Sequence, residues 1–203
     1  MKPLDREFYN RDSIIVAREL LGKLLVRKIG GQSIAAVIVE AEAYMGITDK
    51  AAHSYGGKRT QRVEVMYGAP GFSYVFTVYG MHHCLNIVTR EEGNPQAVLI
   101  RAAEPAGGQD LMAKSRFNKP YGQLSASQVT GLTNGPGKLC KALSIDRSLN
   151  GEDLCGGILY IEERERKTFD IVSARRIGID YAEEARDFLW RFYIKNNRFV
   201  SKL

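Results

Sequence analysis

The sequence predicts a single mixed α+β domain built on antiparallel β-hairpins. The chain has 203 residues, of which 44% are hydrophobic and 26% charged, so we expect one sizeable core and no long disordered tail. Segments rich in branched aliphatic and aromatic residues are joined by short glycine-containing turns, as in hairpins. Helices and strands do not alternate in a βαβ rhythm, and no linker divides residues 1–203, which favours one α+β domain.

A helix and a hairpin are the first predicted elements. Asp12 or Ser13 can cap a short helix whose apolar residues follow at helical spacing, and Gly22 is suited to end it. Two strands are predicted to follow, at residues 24–29 and 34–44. The Gly30-Gly31 pair that separates them is typical of a tight hairpin turn.

Alternation along the second strand brings two carboxylates to one face. A period of two places Glu40, Glu42 and Tyr44 together. The opposite face would carry Ala35, Val37, Val39, Ala41 and Ala43. A carboxylate brought close to His53, which follows shortly afterwards, could act as a general base with an orienting partner. The alternative is a solvated strand face followed by a surface histidine, and spacing alone favours this alternative.

A second hairpin is predicted from strand-like segments at 72–79 and 83–88, with Gly80-Met81 as a tight turn. Its aromatic and apolar tip suits a wedge that enters the DNA minor groove between base steps. A core hairpin with inward-facing aromatics is the alternative. With this turn, alternation sets Tyr79 on the face of Cys84 and Asn86 and sets Phe76 on the other, and a slip of one residue would reverse the assignment.

The later part of the chain predicts further strands and helices. Strands are expected at 97–103, 157–163 and 169–177, and helices at 109–116 and from 139 to 143. The irregular region 45–71 is predicted to be a surface loop and carries Lys58, Arg59 and Arg62. Gly135-Pro-Gly137 precedes a helix start, where backbone N–H groups and Lys138 could contact a phosphate. A simple turn explains the same glycines.

Composition limits the classes of partner and compartment. Lys and Arg number 29 against 23 Asp and Glu, and the net charge of +6 is compatible with an anionic partner such as nucleic acid. Three cysteines without C-x-x-C spacing fit a reducing cytoplasm, where we expect the protein to be located. The start is polar, and apolar runs are far shorter than the roughly 20 residues that cross a bilayer, so no membrane span is expected.

The run His82-His83-Cys84 raises the question of a metal site. Adjacent strand residues point to opposite faces, so this run cannot supply three ligands to one ion without distortion. No ordinary spacing such as H-E-x-x-H occurs. We therefore expect no metal, although a metal-dependent hydrolase built on His53, His82 and Cys84 stays a rival hypothesis.

Eight segments resemble, in order, those of the alkyladenine (3-methyladenine) DNA glycosylase family. The similarity runs from about residue 9 to the C-terminus and points to a bacterial-type member. The segments are LLGKLLV (20–26), IVEAEAY (38–44), AAHS (51–54), YGM (79–81), NI (86–87), LIRAAEP (99–105), GPGKLC (135–140) and WRFY (190–193).

The resemblance implies a fold and an activity. The fold would be a single domain with a curved antiparallel sheet, flanking helices and a protruding β-hairpin. The activity would be that of a monomeric, monofunctional glycosylase without metal or organic cofactor, acting on double-stranded DNA. It would flip out alkylated or deaminated purines (3-methyladenine, 7-methylguanine, hypoxanthine or ethenoadenine), hydrolyse the N-glycosidic bond and leave an abasic site for base excision repair.

The resemblance also implies roles for individual residues. Glu42 would be the general base that activates water, and Arg101 would place that water or the nearby phosphate. The base pocket would be formed by Tyr44, Ala51, His53, Phe76 and Asn86. The wedge at the hairpin tip would be formed by Tyr79, Met81 and His82, with Tyr79 filling the gap left in the base stack. Contacts to the DNA backbone are expected from Lys58, Arg59, Arg62 and Lys138.

Two residues depart from the family pattern. Phe76 stands where some members have a tyrosine, which keeps the stacking surface and removes a hydroxyl group. His82 follows Met81 where a tyrosine can occur. A damage-binding DNA protein that uses the same hairpin without chemistry is the remaining rival hypothesis.

Overall fold

The computed structural model describes residues 2–164 and 168–202, and it shows one curved antiparallel sheet flanked by short helices. Within these ranges the sheet has eight strands: β1 Leu24–Ile29, β2 Gln32–Tyr44, β3 Ser73–Val78, β4 His82–Thr89, β5 Gln96–Gly107, β6 Leu159–Glu162, β7 Ile171–Ala174 and β8 Arg191–Ile194. The strand order is β3-β4-β5-β2-β1-β6, and β8 pairs with both β2 and β7. The predicted α+β class and antiparallel sheet are confirmed.

Five short helices accompany the sheet in the described ranges: α1 Arg6–Tyr9, α2 Ser13–Leu20, α3 Gln109–Phe117, α4 Ala126–Thr130 and α5 Pro136–Ala142. The predicted cap of α2 is confirmed, because the Asp12 side chain accepts a hydrogen bond from the Ile14 N–H and Gly22 follows with a φ of 85°. None of the helices in residues 2–164 and 168–202 is long and apolar enough to cross a membrane.

The β1–β2 hairpin has the predicted turn. Ile29 pairs with Gln32, so Gly30 and Gly31 form a two-residue loop with φ angles of 54° and 79°. Positive φ at both loop positions matches the right-handed twist of the flanking strands and favours glycine there. β1 has its predicted bounds, and β2 begins at Gln32 instead of residue 34.

The predicted face of Ala35, Val37 and Val39 in β2 is wrong because the strand pair contains bulges. Ile38 pairs with Ala103 and Glu40 with Ala102, which leaves Val39 as an extra residue. An extra residue reverses the inside–outside alternation of the rest of its strand. The main core therefore takes Ala36 and Ile38 before the bulge and then Ala41 and Ala43 after it. Ala35, Val37 and Val39 do not share the face of Ala41 and Ala43.

A second bulge lies on the neighbouring strand. The register passes from Glu40 opposite Ala102 to Ala41 opposite Ile100, so Arg101 has no partner in the ladder. This places an arginine between the two strands' regular pairs, beside Glu40 and Glu42. The bulge explains how a long basic side chain is accommodated in the middle of a buried strand.

The main core lies between one face of the sheet and helices α2, α3 and α5. Leu20, Met112 and Leu139 from these helices are fully buried against sheet residues such as Ile38 and Ile100. Burying a side chain of this size stabilises the fold by about 1.5–3 kcal/mol. This side of the sheet therefore carries most of the stability and leaves the other side for the site.

A smaller apolar cluster packs on the opposite face of β3, β4 and β5. It consists of Val63, Met66, Tyr67, Tyr74, Val88 and Ala97. The region predicted as a surface loop, residues 45–71, contributes the first three of these and forms three 3₁₀ turns, Gly46–Thr48, Tyr55–Gly57 and Glu64–Tyr67. This region is therefore anchored to the sheet.

The second hairpin differs from its prediction by one residue. Val78 pairs with His82, so the loop is Tyr79-Gly80-Met81. Phe76 pairs with Cys84, and these two residues therefore share a face. The predicted placement of Phe76 and Val78 opposite Cys84 and Asn86 is wrong, because the turn has three residues instead of two.

Later elements occur near their predicted positions with different bounds. β5 extends from Gln96 to Gly107, whereas β6 and β7 are shorter than predicted. Helix α5 begins at Pro136 instead of residue 139, because Gly135 takes the N-cap position and proline suits the first helical turn. The short elements α1, α4 and β8 were not predicted.

Candidate active site

A cavity of about 560 Å³ opens on the sheet face opposite the main core. All five residues predicted for the base pocket line it: Tyr44, Ala51, His53, Phe76 and Asn86. Arg101 lies on its wall and Tyr79 at the hairpin tip also contributes. Strand pairing brings these residues together, because β2, β5, β4 and β3 are consecutive neighbours in the sheet.

Glu42 lies directly behind this wall and is fully buried. Its Oε2 accepts a hydrogen bond from the Tyr44 hydroxyl at 2.9 Å, and its Oε1 accepts one from the Ile177 backbone N–H at 2.8 Å. The Arg101 Nη1 is 3.3 Å from Oε1. Burial raises the pKa of Glu42, and Arg101 and the two donors oppose this rise. A carboxylate with a raised pKa is a better proton acceptor than an ordinary glutamate.

Arg101 bridges the two carboxylates of β2. Its Nη1 faces Glu42, and its Nε is 3.4 Å from Glu40 Oε1. Burial disfavours the charged guanidinium, but Glu42 and Glu40 outweigh this effect and the pKa of Arg101 is raised. The cavity wall therefore carries a fixed positive charge.

Glu40 has a different environment from Glu42, although the two side chains were predicted together. Its Oε1 accepts hydrogen bonds from Arg191 at 2.9 Å and from the Ser201 hydroxyl at 3.0 Å. Its Oε2 accepts one from the Ser201 backbone N–H at 2.7 Å. Neither carboxylate lines the cavity directly, but Glu42 is bonded to the lining residues Tyr44 and Ile177, whereas Arg191 and Ser201 lie outside the lining. Glu40 anchors the C-terminal segment to the sheet.

His53 and two aromatic rings form one side of the cavity. The His53 and Phe76 ring centroids are 4.6 Å apart at 74°, and those of Tyr74 and Phe76 are 5.3 Å apart at 32°. His53 Nδ1 is 2.8 Å from the Tyr74 hydroxyl. Burial, followed by the charges of Arg62 and Lys58, lowers the pKa of His53 to about 4. The imidazole is therefore neutral near pH 7, and this side of the cavity carries no charge from His53.

Asn86 and Ala51 complete the pocket. Asn86 is buried, and its Nδ2 donates to the carbonyl of its cross-strand partner Tyr74 at 3.1 Å. Ala51 is also buried and lines the cavity, and its N–H donates to Asp49 Oδ1 at 3.0 Å. Both residues are thus held in place by hydrogen bonds to neighbouring groups.

The predicted wedge residues lie at the tip of the β3–β4 hairpin. Tyr79 is 89% exposed and Met81 is 73% exposed, an unusual state for side chains of this size. Tyr79 has a φ of 51°, a left-handed conformation that a bulky residue seldom adopts. The exposed His82 packs on helix α5, where a Cβ at Gly137 would lie 3.2 Å from the His82 Cβ.

The predicted backbone-contacting residues fall into two groups. Lys58, Arg62 and Lys138 are exposed, and Arg62 lies over the Phe76 ring with 5.3 Å between its Cζ and the ring centroid. Arg59 is also exposed, but its guanidinium pairs with Glu64 at 2.5 Å and covers the Tyr67 ring. Arg62 thus links the basic surface to the cavity wall, whereas the charge of Arg59 is partly neutralised.

Several site residues were not found from the sequence. Tyr74 was missed, although it lies two residues before Phe76 on the same strand and alternation alone places it on the face of Phe76. Ile177 contributes its backbone N–H, which no side-chain pattern reveals. Tyr181 lines the cavity from an irregular segment, with its hydroxyl 3.5 Å from the Ala51 carbonyl. The one sequence signal for Tyr181 is that it lies four residues after Ile177 in the chain.

The side chains around the cavity do not form a metal site. In the portions of the chain that the structure describes, no three His, Cys, Asp or Glu side chains come together to hold an ion. Cys84 lines the cavity as a buried thiol, and burial raises its pKa to about 11. It is therefore protonated near neutral pH.

Comparison with known proteins identifies the family. The family model described as "Methylpurine-DNA glycosylase (MPG)" matches residues 7–198. A protein of Desulfitobacterium hafniense (strain Y51) is 71% identical over 201 residues, covering 99% of both chains. Proteins of Clostridium acetobutylicum and Clostridium novyi (strain NT) are 54% and 52% identical, covering 98% and 100% of both chains. All three carry the name "Putative 3-methyladenine DNA glycosylase". The chain therefore belongs to the methylpurine-DNA glycosylase family and is a DNA glycosylase, a hydrolase of DNA repair.

Proposed function

We propose that this enzyme flips an alkylated or deaminated purine out of duplex DNA into the cavity and hydrolyses its N-glycosidic bond. The proposed substrates are 3-methyladenine, 7-methylguanine, hypoxanthine and ethenoadenine. The observation that carries the proposal is the buried carboxylate of Glu42, held behind a cavity lined in part by aromatic rings, beside a hairpin tip that exposes Tyr79. A base inside a duplex is out of reach, so the chemistry requires extrusion.

In this proposal Glu42 accepts a proton from water as the water attacks the sugar carbon. The negative charge of Glu42 also stabilises the oxocarbenium-like sugar that develops as the base leaves. Arg101, whose Nη1 is 3.3 Å from Glu42, orients the water or a nearby phosphate. The product is an abasic site with the phosphodiester backbone intact.

The identity of the purine determines how much help its departure needs. 3-Methyladenine and 7-methylguanine carry a positive charge in the nucleotide and leave readily, whereas neutral hypoxanthine and ethenoadenine also require protonation. His53 cannot supply that proton efficiently near neutral pH, because its lowered pKa of about 4 keeps the ring neutral. We therefore assign His53 to the pocket wall, with Tyr44, Ala51 and Phe76, and place Asn86 opposite the exocyclic amino group of guanine.

The tip of the β3–β4 hairpin would keep the duplex open after the base has been extruded. Tyr79 would occupy the gap left in the base stack, with Met81 and His82 beside it as the rest of the wedge. Lys58, Arg62 and Lys138 would hold the DNA backbone around the opened site. Arg59 would contribute less, since Glu64 already pairs with it. One copy of the domain would suffice, so we propose a monomer that acts in the cytoplasm on chromosomal DNA.

The test is excision by the wild-type protein and by Glu42→Gln. Duplexes that contain one hypoxanthine or ethenoadenine, and alkylated DNA, are incubated with EDTA present and then treated with alkali to break abasic sites. We expect breaks with the wild type and a loss of at least about 10²-fold in rate with Glu42→Gln, while duplex binding is retained. Binding without breaks on any substrate would support a damage sensor, and activity lost to EDTA would support the metal-dependent hydrolase.

Glu40→Gln is the matched control, because Glu40 is on the same strand and is equally buried. Its carboxylate binds Arg191 and Ser201 instead of the cavity-lining residues Tyr44 and Ile177. We expect Glu40→Gln to lower stability and to retain excision per folded molecule. Equal losses of excision in the two variants would contradict the assignment of the base to Glu42.

A further inference from the structure

A fully buried ion pair lies outside the cavity wall and takes no part in the proposed chemistry. Arg176 and Asp49 have completely buried side chains and form a two-pronged contact, with Nη1–Oδ2 at 2.5 Å and Nη2–Oδ1 at 2.8 Å. The same guanidinium donates to the carbonyls of Ala43 at 3.0 Å and Ala185 at 3.2 Å. Arg176 therefore ties the C-terminal segment to the end of β2.

The carboxylate of this pair holds a third part of the chain. Asp49 Oδ2 also accepts a hydrogen bond from the Met45 N–H at 3.1 Å, and Oδ1 accepts one from the Ala51 N–H at 3.0 Å. Ala51 lies on the cavity wall. The pair thus joins the end of β2, the loop that carries Ala51 and the segment that carries Ile177.

Arg176 is in direct contact with both neutral donors to the Glu42 carboxylate. Its Cζ lies 4.8 Å from the centroid of the Tyr44 ring, and the Tyr44 hydroxyl donates to Oε2 of Glu42. The next residue in the chain, Ile177, donates its backbone N–H to Oε1. The guanidinium therefore holds one donor by stacking and the other through a peptide bond.

We propose that Arg176 and Asp49 are positioning residues, which fix the orientation of the Glu42 carboxylate by holding the Tyr44 hydroxyl and the Ile177 N–H in place. The proposal rests on the proposed function, in which Glu42 is the general base. Stability alone does not explain the pair, because taking two charges out of water costs about as much as their attraction returns. An oriented site needs a support of this kind, since small displacements of a catalytic group lower the rate strongly.

The charged and polar groups around Glu42 determine how its pKa would change if Arg176 and Asp49 no longer held the two neutral donors in place. Arg101 faces it from β5, Tyr44 and Glu40 from β2, and Cys84 from β4. Arg101, the Ile177 N–H and the Tyr44 hydroxyl stabilise the carboxylate, whereas burial and Glu40 favour its protonated form. Displacement of the two neutral donors would therefore raise the pKa of Glu42 further. The acidic limb of the pH–rate profile would move to higher pH.

The experiment uses the full-length protein with Arg176→Lys, which keeps the charge and removes the planar fork and the stacking surface. The Glu42 carboxyl is titrated by ¹³C NMR in protein labelled at glutamate, with its resonance assigned by its absence in Glu42→Gln. We expect the midpoint to rise by about one pH unit. Single-turnover excision on the acidic limb should fall about tenfold, with duplex affinity unchanged within about threefold.

Arg191→Lys is the matched control. Arg191 also forms a buried ion pair, with side-chain exposures of 6% for Arg191 and 0% for Glu40. Its Nε donates to the Arg175 carbonyl at 2.8 Å, but its hydrogen-bond partners in the described residues do not include Tyr44 or Ile177. We expect Arg191→Lys to lose stability while the Glu42 midpoint stays in place. If Arg176→Lys behaves in the same way, the Arg176–Asp49 pair is only structural and the proposal is wrong. If the Glu42 midpoint moves in Arg176→Lys but the Glu42→Gln protein still excises bases, Arg176 does position Glu42 and the assignment of Glu42 as the general base is wrong.

A second variant tests the proposal without breaking the ion pair. Trp190 is half-buried and stacks against Arg176, with 5.0 Å between the Arg176 Cζ and the ring centroid. Trp190→Leu removes this ring and leaves Asp49 bound. We expect a smaller shift of the Glu42 midpoint in the same direction as for Arg176→Lys. An unchanged midpoint in the folded Trp190→Leu protein would overturn the proposal.

Discussion

Two glutamates on one strand, separated by a single residue, show how the environment divides their tasks. Glu40 and Glu42 are both fully buried and both approach Arg101. Glu40 receives three hydrogen bonds from Arg191 and Ser201, whereas Glu42 receives bonds from Tyr44 and Ile177 next to the cavity. The residue type and the strand face are the same, so the difference arises from the partners: Tyr44 on the same strand and the distant Ile177 for Glu42, and the distant Arg191 and Ser201 for Glu40.

His53 gives a stability prediction at the same scale. Its pKa falls from 6.5 to about 4 on folding, so between these values the unfolded chain binds a proton that the native protein excludes. The contribution of the neutral His53 to the free energy of unfolding is thus fully present above pH 6.5 and is lost as the pH falls toward 4. We expect His53→Gln to make this decline shallower, as measured by urea unfolding across that window. Parallel declines in both proteins would contradict the burial of a neutral ring.

At the scale of elements, the β3–β4 hairpin combines a rigid base with an exposed tip. Its paired strands bury Val75, Leu85 and Ile87 in the main core, and the same strands present Phe76 to the cavity. Tyr79 at the loop is exposed and has a left-handed backbone. A strained residue held by a well-packed hairpin is pre-arranged for contact with a partner.

Replacement of Tyr79 tests this element. We expect Tyr79→Ala to lower single-turnover excision of hypoxanthine paired in a duplex roughly tenfold, because one stacked ring is lost. The loss should be smaller for hypoxanthine in an unpaired bulge, where less stacking has to be broken. Tyr79→Phe keeps the ring and should behave almost as the wild type. Equal losses on paired and unpaired substrates would mean that Tyr79 does not act in base extrusion.

Elements with local determinants were predictable from the sequence, and those set by distant contacts were not. Gly30-Gly31 and the Asp12 cap carry their own conformational preference, so the first hairpin and α2 were found. The bulge at Val39 and the three-residue loop at Tyr79 shift the alternation by one residue, and no nearby residue type announces either of them. The faces predicted for residues 35–39 of β2 and for Phe76 were therefore wrong, although every pocket residue expected from the resemblance lines the cavity.

At the scale of the whole molecule, the C-terminal part of the chain completes both the sheet and the site. β8 pairs with β2 at Glu40 to Glu42, on the edge opposite β5. The segment before it supplies Ile177 to Glu42, and the segment after it supplies Ser201 to Glu40. The C-terminal part of the chain therefore has to pack against β2 before both carboxylates have these partners. Excision and global folding should be lost together when this part is removed.

The ion pair between Arg191 and Glu40 anchors the C-terminal part of the chain and allows a prediction about the stability of the whole molecule. Arg191→Met leaves the buried Glu40 without its closest positive partner, which should reduce the free energy of unfolding by about 3 kcal/mol. Urea unfolding measures this change, and Lys195→Met in the same C-terminal segment is the control because its contact with Asp170 is exposed. A loss below about 1 kcal/mol would show that Ser201 and Arg101 satisfy Glu40 by themselves.

The bulge at Val39 makes β2 unequally tolerant of changes in length. An inserted residue at the Gly30-Gly31 turn would lengthen an exposed loop and leave every later side chain on its own side. Deletion of Val39 would remove the extra residue and restore regular alternation along β2. The side chains that follow the deletion would then point to the opposite face of the sheet. Glu42 would then face the main core and Ala41 the cavity. The position of the carboxylate that we propose as the general base thus depends on one valine that takes no part in the proposed chemistry.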